Sequence, residues 1–258
     1  RSNFDLLEFH LSYKDLGVDE SAFFEEVVDR DLVVHAPELF EGDHILDLCA
    51  TDPDYRQTSI RNLERVVDLT RRLAGWFGRA DRPRIVVNVG GFTQDAPLAP
   101  HDREVRYEQV LDSFDQMDLD GVEILPQTMP PFPWHFGGQR YQNLFLDPWE
   151  IAAFCRDHGY RVCLDTSHSQ LACTHNRWSF SDFVTIVGPH VSHLHIADAS
   201  GVDGEGLQIL DGEIDFPVLG RSLLEVAPEA SFIPEIWQGH KNAGEAFWRA
   251  LELLESYL

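Results

Sequence analysis

The segment DPWEIAAFCRDHGYRVCLDTSH, residues 147–168, contains a complete helix followed by a strand. Asp147 is followed by a proline and, at the third helical position, a glutamate, which is the pattern of a capped helix start. Gly159 is typical of a helix end. The run Arg161–Leu164 then predicts a strand, and that strand leads directly into the carboxylate of Asp165. The segment therefore predicts a helix–strand unit with a polar strand end.

The rest of the chain repeats this alternation. Amphipathic spacing predicts helices around residues 60–73 and 105–114, others begin near Ser21 and Ser181, and Gly244–Leu258 forms a terminal helix. Repeated βα units favour a parallel α/β sheet, and their number favours a closed TIM (β/α) barrel over a doubly wound sheet. The predicted strands are Leu6–Leu11, Leu32–His35, Ile85–Val89, Val122–Leu125, Arg161–Leu164, Val191–Ile196 and Phe232–Trp237.

Length and strand count together bear on the domain organisation. The 258 residues, 43% of them hydrophobic, are enough for one barrel, so we expect a single domain over residues 1–258. Only seven strands are predicted, and the chain opens at Arg1 without a methionine and almost directly in a strand. We therefore expect that a first βα unit lies upstream and that this barrel is a module of a longer protein.

Charge and cysteine usage narrow the function classes. The formal net charge of −24 repels phosphate backbones, which argues against a nucleic-acid partner and is compatible with a divalent cation or a neutral polar substrate. No apolar run approaches the ~20 residues of a membrane span, and no signal peptide is evident, so no membrane partner is expected. Four cysteines without a CxxC pair predict reduced thiols and a cytoplasmic location.

Polar side chains gather where the predicted strands end. In a parallel barrel those ends share one mouth, which is where active sites lie. Taken singly, a strand histidine is more often a hydrogen-bonded core residue, and a strand-end aspartate often caps the next helix. As a set they would be a costly charge cluster without a cation, and mixed carboxylate and imidazole donors suit Mn, Mg, Co, Fe or Zn. The strand-end residues are Glu8, His10, His35, Asn88, Glu123, Asp165, His193, His195 and Glu235.

Four short motifs resemble those of one known group, the xylose isomerase-like TIM barrels, which contains sugar epimerases, inosose dehydratase, hydroxypyruvate isomerase and endonuclease IV. The motifs are CLDTSH at residues 163–168, HLHIADA at 193–199, DGEIDF at 211–216 and PEIW at 234–237. The phrases EFHLSYKDL and PEIWQGH further resemble a module joined to sialic acid synthase-like proteins.

The resemblance implies one divalent metal, with manganese, magnesium, cobalt or zinc as candidates, bound by Glu123, Asp165, His195 and Glu235. Glu123 and Glu235 would also transfer the proton next to a carbonyl of a sugar or related polyhydroxy compound. The residues expected to contact the substrate are His168, Glu8, His10, His35, Asn88, His193 and Trp237.

Two departures from the family pattern separate the alternatives. Asn88 stands where endonuclease IV has a histidine, and residues 208–212 lack the histidine that often precedes the DGEIDF loop. A three-metal DNA repair enzyme is therefore disfavoured. A dehydratase or phosphodiesterase on the same site, and a non-catalytic sugar-binding module of a sialic acid-type protein, stay open. A fused or associated upstream domain and a homo-oligomer stay open as partners.

Overall fold

The computed structural model describes residues 4–135 and 138–257. Contacts between Cα atoms group the chain into two compact units. The first unit is Arg1–Gly91 with Leu98–Pro126, and the second is Phe92–Pro97 with Gln127–Leu258. No helix among the described residues is long and apolar enough to cross a bilayer.

The first unit contains a four-stranded parallel sheet, in the order β1 (Leu6–His10), β2 (Asp31–His35), β3 (Arg84–Val87) and β4 (Glu123–Pro126). Its two helices are α1 (Pro53–Ala74) and α2 (Pro100–Asp115), and Leu39–Phe40 pairs with His44–Ile45 as a short antiparallel ladder. Two 3-10 turns, Asp15–Gly17 and Glu20–Ala22, complete it. The helix predicted near Ser21 is therefore only the second of these turns.

The second unit contains a three-stranded parallel sheet, in the order β5 (Val162–Asp165), β6 (Val191–Ile196) and β7 (Ser231–Pro234). Every residue of β5 and β6 is buried, as expected for a parallel sheet covered on both faces. Its α-helices are α3 (Pro148–His158), α4 (Thr166–Asn176), α5 (Phe180–Val187), α6 (Phe216–Val226) and α7 (Lys241–Leu254). The predicted terminal helix corresponds to α7, and Leu258 lies outside the described residues.

The remaining elements of the second unit are short. Gly188–His190 is a 3-10 turn. Three antiparallel ladders pair Phe92–Thr93 with Tyr141–Gln142, Trp134–His135 with Gly138–Gln139, and Asp198–Ser200 with Gly204–Leu207.

Helix α3 begins and ends where the sequence predicted, after Asp147 and before Gly159. The Asp147 side chain accepts hydrogen bonds from the backbone N–H groups of Trp149 and Glu150, at 2.9 and 3.3 Å. At the other end Gly159 takes a left-handed conformation with φ 75°, which only glycine adopts without strain. The two signals place the start of β5 and hence Asp165 at its carboxyl end.

Candidate metal and substrate site

Three predicted ligands lie at the carboxyl ends of the strands of the second unit. Asp165 is the last residue of β5 and pairs in register with His195, the fifth residue of β6. Glu235 directly follows β7, and its N–H donates to the Ile196 carbonyl at 3.0 Å. Parallel register therefore carries the three side chains to the same edge of the sheet.

A fourth side chain, Gln127, completes this cluster. The backbone of Gln127 forms an isolated parallel bridge with Cys163. Its Nε2 lies 3.2 Å from Asp165 Oδ2 and 3.0 Å from His195 Nδ1. His195 Nδ1 in turn lies 2.6 Å from Glu235 Oε2. We call Gln127, Asp165, His195 and Glu235 the strand-end cluster.

The electrostatics of the cluster centre on Asp165, which is 3% exposed. Burial raises the pKa of its carboxyl to about 7, and the negative charge of Glu235 adds to the rise, while His168 and His195 lower it. The negative charges of Asp165 and Glu235 repel each other, and a positive charge placed near both would relieve that repulsion.

The donor types of the strand-end cluster, two carboxylates and an imidazole, are ones that divalent metal ions take. His195 Nδ1 faces an amide N–H of Gln127 and a carboxylate oxygen of Glu235, so it cannot satisfy both by hydrogen bonding. A cation among them would let the imidazole and the carboxylates all act as electron-pair donors. Half a turn of the Gln127 amide exchanges its N–H donor for an oxygen acceptor, which adds a fourth oxygen or nitrogen donor. Such a mixed set suits Mn, Mg, Co or Zn.

His168 lies beside the cluster, in the first turn of α4. Its Nδ1 lies 3.0 Å from the Thr128 carbonyl oxygen and 3.3 Å from Asp165 Oδ2, and its Nε2 lies 3.6 Å from Glu205 Oε2. Burial lowers the pKa of His168, but the charges of Asp165 and Glu205 outweigh burial and raise it above its ordinary value. Asp165 also caps α4, because its Oδ1 accepts the His168 N–H at 2.9 Å.

The other two predicted substrate contacts of the second unit differ in depth. His193 is fully buried, and its Nδ1 lies 2.6 Å from Ser231 Oγ, at the first residue of β7. It lies below the carboxyl edge and has the contacts of a hydrogen-bonded core residue. The backbone N–H of Trp237 donates to the Gly206 carbonyl at 2.8 Å. The residue is 73% exposed, so its indole is accessible to a ligand.

The predicted polar residues of the first unit lie on its strands or directly after them. His10 Nε2 lies 3.0 Å from Glu8 Oε1 at the carboxyl end of β1, and the rings of His10 and His35 are stacked with centroids 4.7 Å apart. His35 Nδ1 lies 2.9 Å from the Ala36 carbonyl oxygen. Asn88 follows β3, and its amide donates to Glu38 Oε1. The structure therefore brings Glu8, His10 and His35 together.

Glu123 does not lie where the sequence analysis placed it. It is the first residue of β4, pairs in register with Arg84 at the start of β3, and its N–H donates to the Pro83 carbonyl at 3.0 Å. The prediction that Glu123 is the polar residue at the carboxyl end of strand four is wrong, because Glu123 begins that strand and the strand continues through Pro126. A proline without an N–H is accommodated there since β4 is the last strand of its four-stranded sheet. Gln127 follows at the carboxyl end.

Two residues of the site were missed from the sequence, Gln127 and Glu205. Gln127 is uncharged and stands in a proline-rich segment, so it carries no ionic signal. Glu205 lies in the short Gly204–Leu207 strand, which has too few residues to show a periodicity. For Gln127 the usable signal was its position directly after an apolar strand.

A buried aspartate fixes the loop next to the site. Asp198, fully buried, accepts the N–H groups of Ala199 and Ile214 on Oδ1, at 2.8 and 3.0 Å, and that of Gly212 on Oδ2 at 2.8 Å. A Cβ at Gly212 would lie 2.3 Å from the Ala199 carbonyl oxygen, so only glycine fits. The HLHIADA and DGEIDF motifs are thus joined through one carboxylate.

Comparison with known proteins places these features in a family. The model of the family described as xylose isomerase-like TIM barrel matches residues 2–257. No significant match was found among curated proteins.

Solved structures with a similar fold share little sequence with this chain. A D-tagatose 3-epimerase-like protein gives a TM-score of 0.68 at 18% identity, covering 99% of this chain and 89% of that one. D-psicose 3-epimerase with D-tagatose, from Clostridium cellulolyticum, gives 0.62 at 16% identity with coverages of 99% and 89%. Endonuclease IV from Thermus thermophilus gives 0.56 at 20% identity with coverages of 88% and 75%. At these identities the likeness concerns the fold.

Proposed function

The chain belongs to the xylose isomerase-like TIM barrel family, and on that premise we propose that it is a divalent-metal-dependent isomerase or epimerase of a sugar or related polyhydroxy carbonyl compound. The family match confirms the predicted α/β TIM barrel fold. The observation that carries the proposal is the convergence of Asp165, His195 and Glu235 within hydrogen-bonding distance of one another or of the Gln127 amide.

In this proposal Asp165, His195 and Glu235 hold the ion, with Gln127 beside them. When bound, a divalent ion would stabilise the negative charge that develops on a substrate oxygen as the neighbouring proton leaves. Buried Asp165 and His195 are suited to holding the ion. Glu235 is about one-third exposed and is therefore the member that can also reach a substrate.

Glu235 is the proposed proton-transfer residue. A carboxylate positioned against a carbon-bound proton next to a carbonyl accelerates its removal by about 10² to 10⁴-fold. With Glu123 at the opposite end of its strand, one of the two predicted acid–base carboxylates is lost from this role. A single carboxylate can carry the carbon-bound proton of aldose–ketose isomerisation between adjacent carbons on one face, while the hydroxyl proton of the substrate passes from one of its two oxygens to the other.

Substrate contacts are proposed for the residues that surround Glu235 and Asp165 in the second unit. His168 and Glu205 form a polar pair 3.6 Å apart that can exchange hydrogen bonds with hydroxyl groups. The exposed indole of Trp237 can pack on the apolar face of a sugar ring. The Glu8, His10 and His35 group of the first unit, with Asn88, stays proposed as a second set of hydroxyl contacts.

The test is hydrogen exchange from heavy water into a panel of aldoses and ketoses, read by NMR, with Mn²⁺ supplied. We expect deuterium on a carbon next to the carbonyl, and at least a 100-fold slower exchange in Glu235→Gln. Glu245→Gln in α7 is the matched control, because it makes the same change in an exposed residue outside the cluster, and it should exchange at the wild-type rate. Loss of water from the substrate, or cleavage of a phosphodiester without label uptake, would instead support the dehydratase or phosphodiesterase alternative.

A second candidate is a non-catalytic sugar-binding module. The observation in its favour is the uncharged Gln127 at the strand end where a proton-transfer carboxylate was expected. This candidate predicts sugar binding with no label uptake, and it predicts that Glu235→Gln changes only the affinity for the sugar.

A further inference from the structure

Gln127 lies inside the strand-end cluster although its side chain is uncharged. It lies between the two innermost members of the strand-end cluster, 3.2 Å from Asp165 and 3.0 Å from His195. It is 2% exposed, so its amide is held by these contacts rather than by bulk water. Its bridge to Cys163 fixes its backbone in register with β5.

The Gln127 side chain is uncharged, and this affects the charge balance of the cluster with a bound metal ion. The two carboxylates of the cluster, Asp165 and Glu235, together carry two negative charges, which balance one divalent cation. A third carboxylate would leave the loaded site negative, whereas an amide oxygen adds a donor without a charge. An amide is a weaker electron-pair donor to hard divalent cations than a carboxylate, so the ion is held less tightly.

Building on the proposed function, we infer that Gln127 binds the metal ion through its amide oxygen. As an uncharged ligand it keeps the metal-bound site electrically neutral and limits the affinity of the site for the ion. A neutral loaded site leaves the ion free to stabilise an anionic substrate oxygen without added repulsion from the protein. Gln127 itself holds no proton that it could transfer, so its role is to bind and to position His195 and Asp165.

Mn²⁺ binding to the full chain tests this inference, with free Mn²⁺ followed by electron paramagnetic resonance. We expect Gln127→Glu to lower the Kd for Mn²⁺ at least tenfold, and Gln127→Met, which keeps the length but lacks an oxygen, to raise it at least threefold. Gln170→Glu is the matched control, because it adds the same charge to α4 of the same unit, where the wild-type amide donates to Thr174. Its Kd should stay within twofold of the wild-type value.

The outcomes separate this inference from the proposed function. A Kd in Gln127→Glu that matches the Gln170→Glu control, or an unchanged Kd in a folded Gln127→Met, overturns the inference while leaving the metal site in place. If wild-type protein fails to bind Mn²⁺ but Gln127→Glu binds it, the proposed metal enzyme fails and the ligand position of Gln127 is supported. If neither binds, both are overturned.

Discussion

Asp198 gives the sharpest stability prediction, because three backbone N–H groups depend on one buried carboxylate. In Asp198→Asn the amide oxygen can take the place of Oδ1 and keep the bonds to Ala199 and Ile214. The new NH₂ group then faces the Gly212 N–H at the former 2.8 Å contact, donor against donor. Loss of one hydrogen bond to a charged group predicts a fall of about 1.5–3 kcal/mol in the free energy of unfolding.

Asp198→Ala removes all three acceptors and should cost more. Each buried unsatisfied N–H costs about 1–3 kcal/mol, so we expect at least ~3 kcal/mol. Urea unfolding followed by tryptophan fluorescence measures both values. Asp211→Asn is the control, since it makes the same change in an exposed residue of the same loop. If Asp198→Asn and Asp211→Asn unfold at the same urea midpoint, the carboxylate does not fix the loop and the reasoning is refuted.

Further predictions concern the first unit and helix α3. Gly90→Ala should lower the free energy of unfolding by at least ~2 kcal/mol, because the φ of Gly90 is +90° and a Cβ there would lie 2.5 Å from Asp47 Cα. Gly17→Ala is the control, since a Cβ at Gly17 meets no atom within 4 Å, and it should lower that free energy by less than about 1 kcal/mol; thermal melting compares the two variants. Asp147→Ala should lower the free energy of unfolding by about 1 kcal/mol, because α3 loses its N-cap. Asp147→Ser restores a capping side chain and should recover most of that loss, as measured by urea unfolding. Equal stability of the Ala and Ser variants would contradict the capping role.

The sequence was sufficient for the fold because its local signals are steric and repeated. The Asp147 cap indicates a helix start, Gly159 a helix end and the apolar run before Asp165 a strand, and the three signals agree with one another. All seven predicted strands are present in the described part of the chain, with ends that differ from the prediction by at most three residues. The single-domain organisation over residues 1–258 stays a prediction.

The site was harder to predict because chemistry depends on the last residue of each strand. Glu123 stood near the start of its predicted strand, Val122–Leu125, and in the structure it is the first residue of β4, so it lies at the opposite end from the site. Gln127, directly after Pro126, takes the place at the carboxyl edge. Asp165, His195 and Glu235 were placed correctly at the carboxyl ends of their strands, since the strands that contain or precede them were predicted to within three residues. Their assignment as metal ligands stays a prediction.

The central claim, a divalent metal held by the strand-end cluster, is tested most directly by metal analysis of the purified protein. We expect one equivalent of Mn²⁺ per chain after loading and gel filtration, and its loss in Asp165→Asn and in His195→Phe, with Asp182→Asn of α5 retaining the wild-type content. Stoichiometric binding that survives both cluster substitutions, or no binding by folded wild-type protein, would contradict the account.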